Sequence, residues 1–239
     1  MKFPRKLCVP TIVLILVTCN LSISAQDVTA SGHIKLIGNR SKSSGFVVWL
    51  SPMNGAIPSI TGDKGRGRLR LIQRDKQFDP HLMVVPVGSA VEFPNLDPWF
   101  HNVFSLFEGK RFDLGLYEAG SSRTIRFDRA GISYVFCNIH PEMSAIVVAV
   151  PTPYYAISDR RGDVNIPNIP PGRYVLHLWQ EDIPAKDTDA LKRVVELSET
   201  SSSFGTIEIQ QPASSHLPHK DKYGQDYAPP EPTSPVYAR

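Results

Sequence analysis

The chain has 239 residues and a formal net charge of +3, but its first 25 residues alone carry three basic and no acidic side chains. The rest of the chain has 23 basic and 23 acidic side chains, a balance that excludes a general electrostatic attraction to nucleic acid or an anionic membrane. Of the three cysteines only Cys137 lies beyond residue 25, which excludes an internal disulfide and a cysteine-rich zinc or iron–sulfur site in that part.

Residues 1–25 are typical of a secretory signal peptide, with basic residues first, an apolar stretch over 11–17, and small residues that end at Ala25. The apolar stretch is too short to cross a bilayer. The sequence therefore predicts a periplasmic or secreted protein. A lipid anchor is the alternative, because the residues before Cys19 resemble a bacterial lipoprotein signal, and we expect membrane contact only if Cys19 is lipidated.

Beyond the leader, short runs of alternating polar and apolar residues, bounded by turn residues, predict an all-β fold. The only candidate helix of more than two turns is 187–195. A typical single β-sandwich has seven to nine strands, so the larger number found here favours two β domains. The candidate strands in chain order are 32–37, 46–50, 68–73, 81–87, 90–94, 102–106, 122–127, 132–137, 145–150, 154–158, 163–166, 173–179, 193–197 and 206–209.

The last part of the chain has a different composition. Residues 211–239 contain six prolines and no Ile, Phe or Trp, with Leu217 and Val236 as the only large aliphatic side chains. Such a segment cannot bury enough apolar surface to fold on its own. We therefore expect 211–239 to be a disordered tail.

The residues most indicative of chemistry lie at 137–143, directly after the apolar strand 132–137. A tight loop there can present the side chains of Cys137, His140 and Met143 to one point. A thiolate, imidazoles and a weak thioether form the trigonal His₂Cys site with an axial Met that suits copper. The second imidazole has to come from elsewhere, and His101 is the candidate, in an apolar loop between two predicted strands. Each of these residues alone would more often be an ordinary core residue.

Several motifs within 68–150 make this part of the chain resemble a cupredoxin, the type 1 or blue copper family, with a ligand loop of the amicyanin and plastocyanin type. They are a Val-x-Val-Gly-x-x-Val strand at 85–91, the loop 95–102, Gly131-x-x-Tyr134, and Cys-x₂-His-x₂-Met at 137–143. The resemblance implies a Greek-key β-sandwich over 61–150 and one type 1 copper ion. It implies as metal ligands His101, Cys137, His140 and, as the weak axial ligand, Met143.

The resemblance also implies roles around the ligands. Asn102 would tie the two ligand loops together and donate its backbone N–H to the cysteine sulfur, which tunes the reduction potential. An exposed edge of His140 would be the route for electrons. The surrounding apolar patch would consist of Pro98, Trp99, Ile139 and Pro141.

Residues 154–179 resemble the closing half of a carboxypeptidase regulatory-like, or transthyretin-like, β-sandwich. The hairpin turn 159–163 and the Pro-Gly turn 170–172, which leads into an alternating strand, carry this resemblance. We expect 26–60 and 151–210 to form this second small sandwich, with the cupredoxin domain 61–150 inserted in it or packed beside it. The combination, with the stretch 112–115, resembles exported proteins related to methylamine utilisation.

These features predict an exported blue copper protein that transfers single electrons between redox partners, with an unidentified redox protein as partner and no nucleic acid. We expect no enzymatic activity, because four protein ligands leave no open position for a substrate and the chain has no His-x-His pair for further copper sites. Two alternatives stay open. One is a copper-stabilised binding or scaffold protein of the cell envelope without a redox role, and the other is a related domain that holds copper or another soft metal for transport.

Overall fold

The computed structural model describes residues 26–38, 45–54, 67–106, 109–210 and 220–227, and the predicted signal peptide lies outside these residues. The described chain contains seventeen strands and one helix, α1 (Ala185–Asp189), so the prediction of an all-β fold is confirmed. Among these residues there is no helix with the length and apolar character needed to span a membrane. The strands are β1 (Val28–Ile37), β2 (Val47–Pro52), β3 (Leu69–Arg70), β4 (Ile72–Arg74), β5 (Gln77–Asp79), β6 (Leu82–Pro86), β7 (Ser89–Pro94), β8 (His101–Ser105), β9 (Phe112–Tyr117), β10 (Ser122–Phe127), β11 (Gly131–Cys137), β12 (Ser144–Val150), β13 (Tyr155–Ile157), β14 (Asp163–Ile169), β15 (Gly172–Trp179), β16 (Arg193–Leu197) and β17 (Ser203–Gln210).

Strands from the two ends of the chain pair with one another and form what we call the outer sheets. β1 lies between β14 and β17, and β2 lies between β13 and β15, with β16 at the edge beyond β15. Apolar side chains of both outer sheets, such as those of Ile34, Leu50, Ile166 and Leu176, share one buried core. The predicted domain boundaries and the transthyretin-like assignment stay predictions.

The strands between β2 and β13 form the inner sheets. Their orders are β10-β7-β3 and β6-β12-β11-β8-β9, and β4 and β5 make a separate short hairpin. The two inner sheets enclose a second core, which contains Val91, Phe93, Val103, Val135 and Val147. These β-branched and aromatic residues fit a pleated surface that is buried on one face.

β12 is buried on both of its faces. Every residue from Ala145 to Val150 is buried, and successive side chains of a strand point to opposite faces of the sheet. One set, with Val147, belongs to the inner core. The other set, with Ile146 and Val148, packs with Trp179 of β15 in a third cluster that joins the inner and outer sheets.

The structure differs from the predicted elements in several places. The run 68–73 is divided into β3 and β4, and the predicted helix 187–195 is limited to Ala185–Asp189 because 193–197 forms β16. β9 was not predicted, since most of its residues are exposed or half-buried and it lacks a buried alternating face. Residues 220–227 of the predicted disordered tail hydrogen-bond to Asn138, Asp113 and Cys137 through Lys222 and Tyr227, and the rest of 211–239 lies outside the described residues.

Strand pairing brings the two predicted ligand loops to the same end of the inner sheet. β8 begins at His101 and β11 ends at Cys137, and the two strands are antiparallel neighbours in which Cys137 pairs with Val103. The start of one antiparallel strand lies beside the end of the next. The loop before β8 and the turn after β11 therefore meet.

Candidate metal centre

The turn after β11 is closed by its own backbone. The N–H of Cys137 donates to the carbonyl of Met143 at 3.2 Å, and the N–H of Met143 donates to the carbonyl of His140 at 3.0 Å. These bonds fold 137–143 back onto itself, as the sequence spacing predicts. The side chains of all three residues are fully buried.

Three of the four predicted ligands meet at one point. Sγ of Cys137 lies 3.6 Å from Nδ1 of His101 and 3.5 Å from Nδ1 of His140, and the two Nδ1 atoms are 3.1 Å apart. Within the described residues this is the one cluster of at least three His, Cys, Asp or Glu residues that fits a metal ion. Met143 lies on the same turn, with its side chain buried in the same core.

The spacing of the three donor atoms fits a metal ion. A point equidistant from the corners of this triangle lies about 2.0 Å from each, and zinc, an ion of comparable size, binds protein nitrogen at about 2.0–2.1 Å and thiolate at about 2.3 Å. The set of one sulfur and two imidazoles is the trigonal arrangement typical of copper. The residues present therefore fit a copper ion.

A hydrogen bond fixes the tautomer of His101. Nε2 of His101 lies 2.8 Å from Oδ2 of Asp97, and an ionised carboxylate only accepts hydrogen bonds, so this nitrogen carries the donated proton. Burial lowers the pKa of His101, although Asp97 acts in the opposite direction. The lowered pKa favours a neutral ring. Nδ1 of the neutral ring then has a free lone pair next to the Cys137 sulfur. A metal ligand needs such a lone pair.

Asp97 is itself held by the hairpin of β4 and β5. Its carboxylate accepts the backbone N–H of Asp75 at 2.6 Å and that of Lys76 at 3.1 Å. Burial raises the pKa of Asp97, but the hydrogen bonds from Lys76, His101 and Asp75 outweigh burial and hold the pKa below its usual value. Asp97 is therefore ionised at neutral pH. The sequence analysis missed it, although an acidic residue four positions before His101 in an apolar loop is a signal that could have found it.

The protonation of the other two donors follows from their burial. Burial and the neighbouring His101 lower the pKa of His140 to about 4, so its ring is neutral at neutral pH. Burial raises the pKa of the Cys137 thiol, although backbone N–H groups of Ile139, Asn102 and His140 favour the thiolate. Metal binding at this site therefore has to release the proton of Cys137.

Asn102 contacts both predicted ligand loops. Its backbone N–H is one of the donors to the Cys137 sulfur, and its carbonyl accepts the N–H of Asn138 at 2.9 Å. Its side-chain Nδ2 donates to Oδ1 of Asp113 on β9 at 2.7 Å. The backbone of Asn102 thus joins the strand of His101 to the turn of Cys137.

The expected exposed edge of His140 is not present. The exposed fraction of His140 is 0%, because the turn folds its ring inward against His101 and Cys137. The implied apolar patch is also only partly at the surface, since Pro98 is exposed while Trp99, Ile139 and Pro141 are half-buried. Two further apolar side chains of the loop before His101 lie at the surface and were not predicted there. They are Leu96 and Phe100, whose exposed fractions are 45% and 52%.

No family model matches the chain, and no curated protein matches it. Among solved structures the chain is similar to a copper-containing nitrite reductase from Thermus scotoductus, with 23% identity and a TM-score of 0.33, over 35% of this chain and 22% of that chain. It is similar to a purple cupredoxin from Nitrosopumilus maritimus, with 22% identity and a TM-score of 0.32, over 34% of this chain and 99% of that chain. A reduced mutant of amicyanin matches with 21% identity and a TM-score of 0.33, over 35% of this chain and 83% of that chain. These likenesses by themselves assign the chain no function.

Proposed function

We propose that the protein is an exported type 1 copper protein, periplasmic or secreted, with a cupredoxin domain over 61–150 that transfers single electrons between redox partners. The observation that carries this proposal is the convergence of one buried sulfur and two buried Nδ1 atoms within 3.1–3.6 Å of one another. The cupredoxin motifs in the sequence support it. The outer sheets would be a non-catalytic, transthyretin-like structural or binding module.

His101, Cys137 and His140 would hold the copper ion, with Met143 as a weak axial ligand, and the ion would supply reversible one-electron chemistry. Asp97 keeps the tautomer and orientation of His101, and the N–H groups at the Cys137 sulfur stabilise negative charge on it. The buried ligands and the surrounding core exclude water. Such a fixed, dry set of donors limits rearrangement when the charge of the site changes.

We propose that partners dock at the loop before His101 rather than at His140. Leu96, Pro98 and Phe100 are exposed on this loop, and an exposed apolar group of this kind is typical of a contact surface. Phe100 precedes His101 directly in the chain. Electrons would therefore enter next to that ligand.

The visible spectrum of the purified, copper-loaded protein tests the proposal. We expect an intense thiolate-to-Cu(II) charge-transfer band that is lost in Cys137→Ser, because the serine oxygen cannot provide this transition. Thr152→Ser, a buried substitution away from the site, is the control and should retain the band. A wild-type protein that binds Cu(II) and stays colourless would contradict a type 1 site.

The complete burial of His140 favours a second candidate, a scaffold protein in which copper has only a structural role. Electron self-exchange between two copies of the protein separates the two functions. An electron carrier exchanges rapidly, and we expect Phe100→Glu to slow the exchange roughly 10-fold by placing like charges at the contact. The control Val194→Glu changes an equally exposed residue of β16, in the outer sheets, and should have no effect. A copper-loaded protein that exchanges no electrons, with an apo form that unfolds, would favour the scaffold.

A further inference from the structure

Residues 220–227 form a compact turn that is stabilised by its own polar groups. The carboxylate of Asp221 accepts the backbone N–H of Tyr223 at 2.9 Å and that of Gln225 at 2.7 Å. The backbone N–H of Asp221 donates to the carbonyl of Gln225 at 2.9 Å. Lys220 pairs with Asp226 at 3.2 Å. The 220–227 segment therefore has a defined shape without an apolar core.

This segment is anchored on the turn that carries the cysteine ligand. The backbone N–H of Lys222 donates to Oδ1 of Asn138 at 3.0 Å. The hydroxyl of Tyr227 donates to the carbonyl of Cys137 at 2.9 Å. Burial raises the pKa of Tyr227 above its usual value, so its hydroxyl keeps the proton that it donates.

A third anchor connects the 220–227 segment to β9 and, through Asn102, to β8, the strand that begins at His101. Nζ of Lys222 lies 2.9 Å from Oδ2 of Asp113, and its side chain is only 19% exposed. The other oxygen of Asp113 accepts the hydrogen bond of Asn102, the residue after His101. Burial raises the pKa of Asp113, but Lys222 and the other donors outweigh burial and lower it, so the pair is ionic. One lysine thus connects the Cys137 turn with β8 and β9.

We propose that the 220–227 segment is a positioning clamp of the metal centre, in which Lys222 and Tyr227 are positioning residues for the Cys137–Asn138 peptide. Lys222 holds the turn against β8 and β9. Tyr227 holds the Cys137 carbonyl and withdraws electron density from that peptide, which favours the reduced metal site. The effect on potential rests on the proposed function, whereas the effect on the turn does not.

Amide hydrogen exchange of the metal-free protein tests the clamp without copper. The N–H of Asn138 reports opening of the turn, because it is bonded to the carbonyl of Asn102. We expect Tyr227→Phe to accelerate the exchange of this N–H roughly 2- to 10-fold, the factor that corresponds to the net free energy of one neutral hydrogen bond. Lys222→Met should accelerate it about 10-fold or more, because it removes a charge-assisted bond. Lys222→Arg, which keeps the charge next to Asp113, should restore most of the protection.

Two controls change the same residue types without touching the anchors. Tyr174→Phe removes a tyrosine hydroxyl that donates to the carbonyl of Pro170 in the outer sheets, and Lys220→Met removes a lysine whose ion pair lies inside the segment. Both should leave the exchange of Asn138 as in the wild type. The clamp is refuted if Tyr227→Phe and Lys222→Met also leave it unchanged, or if the wild-type amides of 220–227 exchange at the rates of an unfolded chain.

The copper-loaded protein gives a second readout that a purely structural contact would not change. We expect Tyr227→Phe to lower the reduction potential and Tyr174→Phe to leave it unchanged. An unchanged potential in Tyr227→Phe would overturn the electronic part of the proposal. If the wild type shows no copper redox chemistry at all, the proposed function fails while the exchange experiment still decides on the clamp.

Discussion

Asp97 is the residue that connects His101, one of the proposed metal ligands, to the rest of the inner sheets. It receives two backbone N–H groups from the β4–β5 hairpin and one ring N–H from His101. A carboxylate behind a histidine makes the ring a stronger donor and fixes which nitrogen faces the metal. The position of the hairpin is thereby transmitted to the geometry of a ligand.

Asp97→Asn tests this role. The amide is neutral and a weaker acceptor, so we expect the affinity for Cu(II) to fall roughly 10- to 100-fold. The potential should rise, because the oxidised ion loses more stabilisation than the reduced one. Competition with a chelator and voltammetry measure the two effects. Asp75→Asn, which removes a charge from the same hairpin, is the control, and an equal loss there would show that only the charge matters.

At the scale of single elements, the packing of β1 against β17 requires a glycine at position 32. A Cβ atom added at Gly32 would lie 1.9 Å from a ring carbon of Phe204 on β17, and that ring is buried. β1 and β17 are paired here, with Gly32 opposite Gly205. The ring of Phe204 thus occupies the space above the glycine.

Gly32→Ala should therefore destabilise the protein by about 1–3 kcal/mol, the usual cost of overpacking. Adding Phe204→Leu should recover part of this loss, because the shorter side chain vacates the space, and the two effects should be non-additive. Urea unfolding of the two single variants and the double variant measures the coupling. Simple additivity would mean that the contact between Gly32 and Phe204 has no energetic role.

The elements that could be predicted are those in which local pattern and burial agree. β11 and β12 were predicted from their apolar runs, and His101, Cys137 and His140 from donor chemistry and spacing. β9 could not be predicted, because the side chains that it buries change from Phe112 and Leu114 to Tyr117 across Gly115, so that no single alternating face runs along the strand. The 220–227 segment could not be predicted, since its role depends on groups far away in the chain, whereas Asp97 lies only four positions before His101.

At the scale of the whole molecule, a histidine joins the inner and outer sheets. His81 lies before β6, with Nε2 2.9 Å from Oε2 of Glu181 after β15 and Nδ1 3.1 Å from the carbonyl of Ser144. Both partners are acceptors, which suits the protonated ring. The hydrogen bond to Glu181 raises the pKa of His81 despite the opposing effect of burial.

This link predicts a pH dependence of stability. Because the pKa of His81 is higher in the folded protein than the unfolded value of 6.5, its stabilisation is complete below that value and is lost as pH rises through the folded pKa. His81→Gln should therefore lower the denaturant midpoint more at about pH 5.5 than at about pH 9. Glu181→Gln is the companion variant and should reduce the same pH dependence. A difference that grows with rising pH would contradict this assignment.

β12 serves two cores at once, and this has a practical consequence for work with isolated fragments. A piece cut out as residues 68–150 would expose Val84, Ile146, Val148 and Val150 to water, since these side chains pack with Val47 and Trp179 in the intact chain. Such an open aliphatic surface promotes self-association. Polar replacements at the even-numbered positions of β12 should keep the fragment monomeric, and the odd-numbered positions, which belong to the inner core together with Cys137 and Met143, should be left as they are.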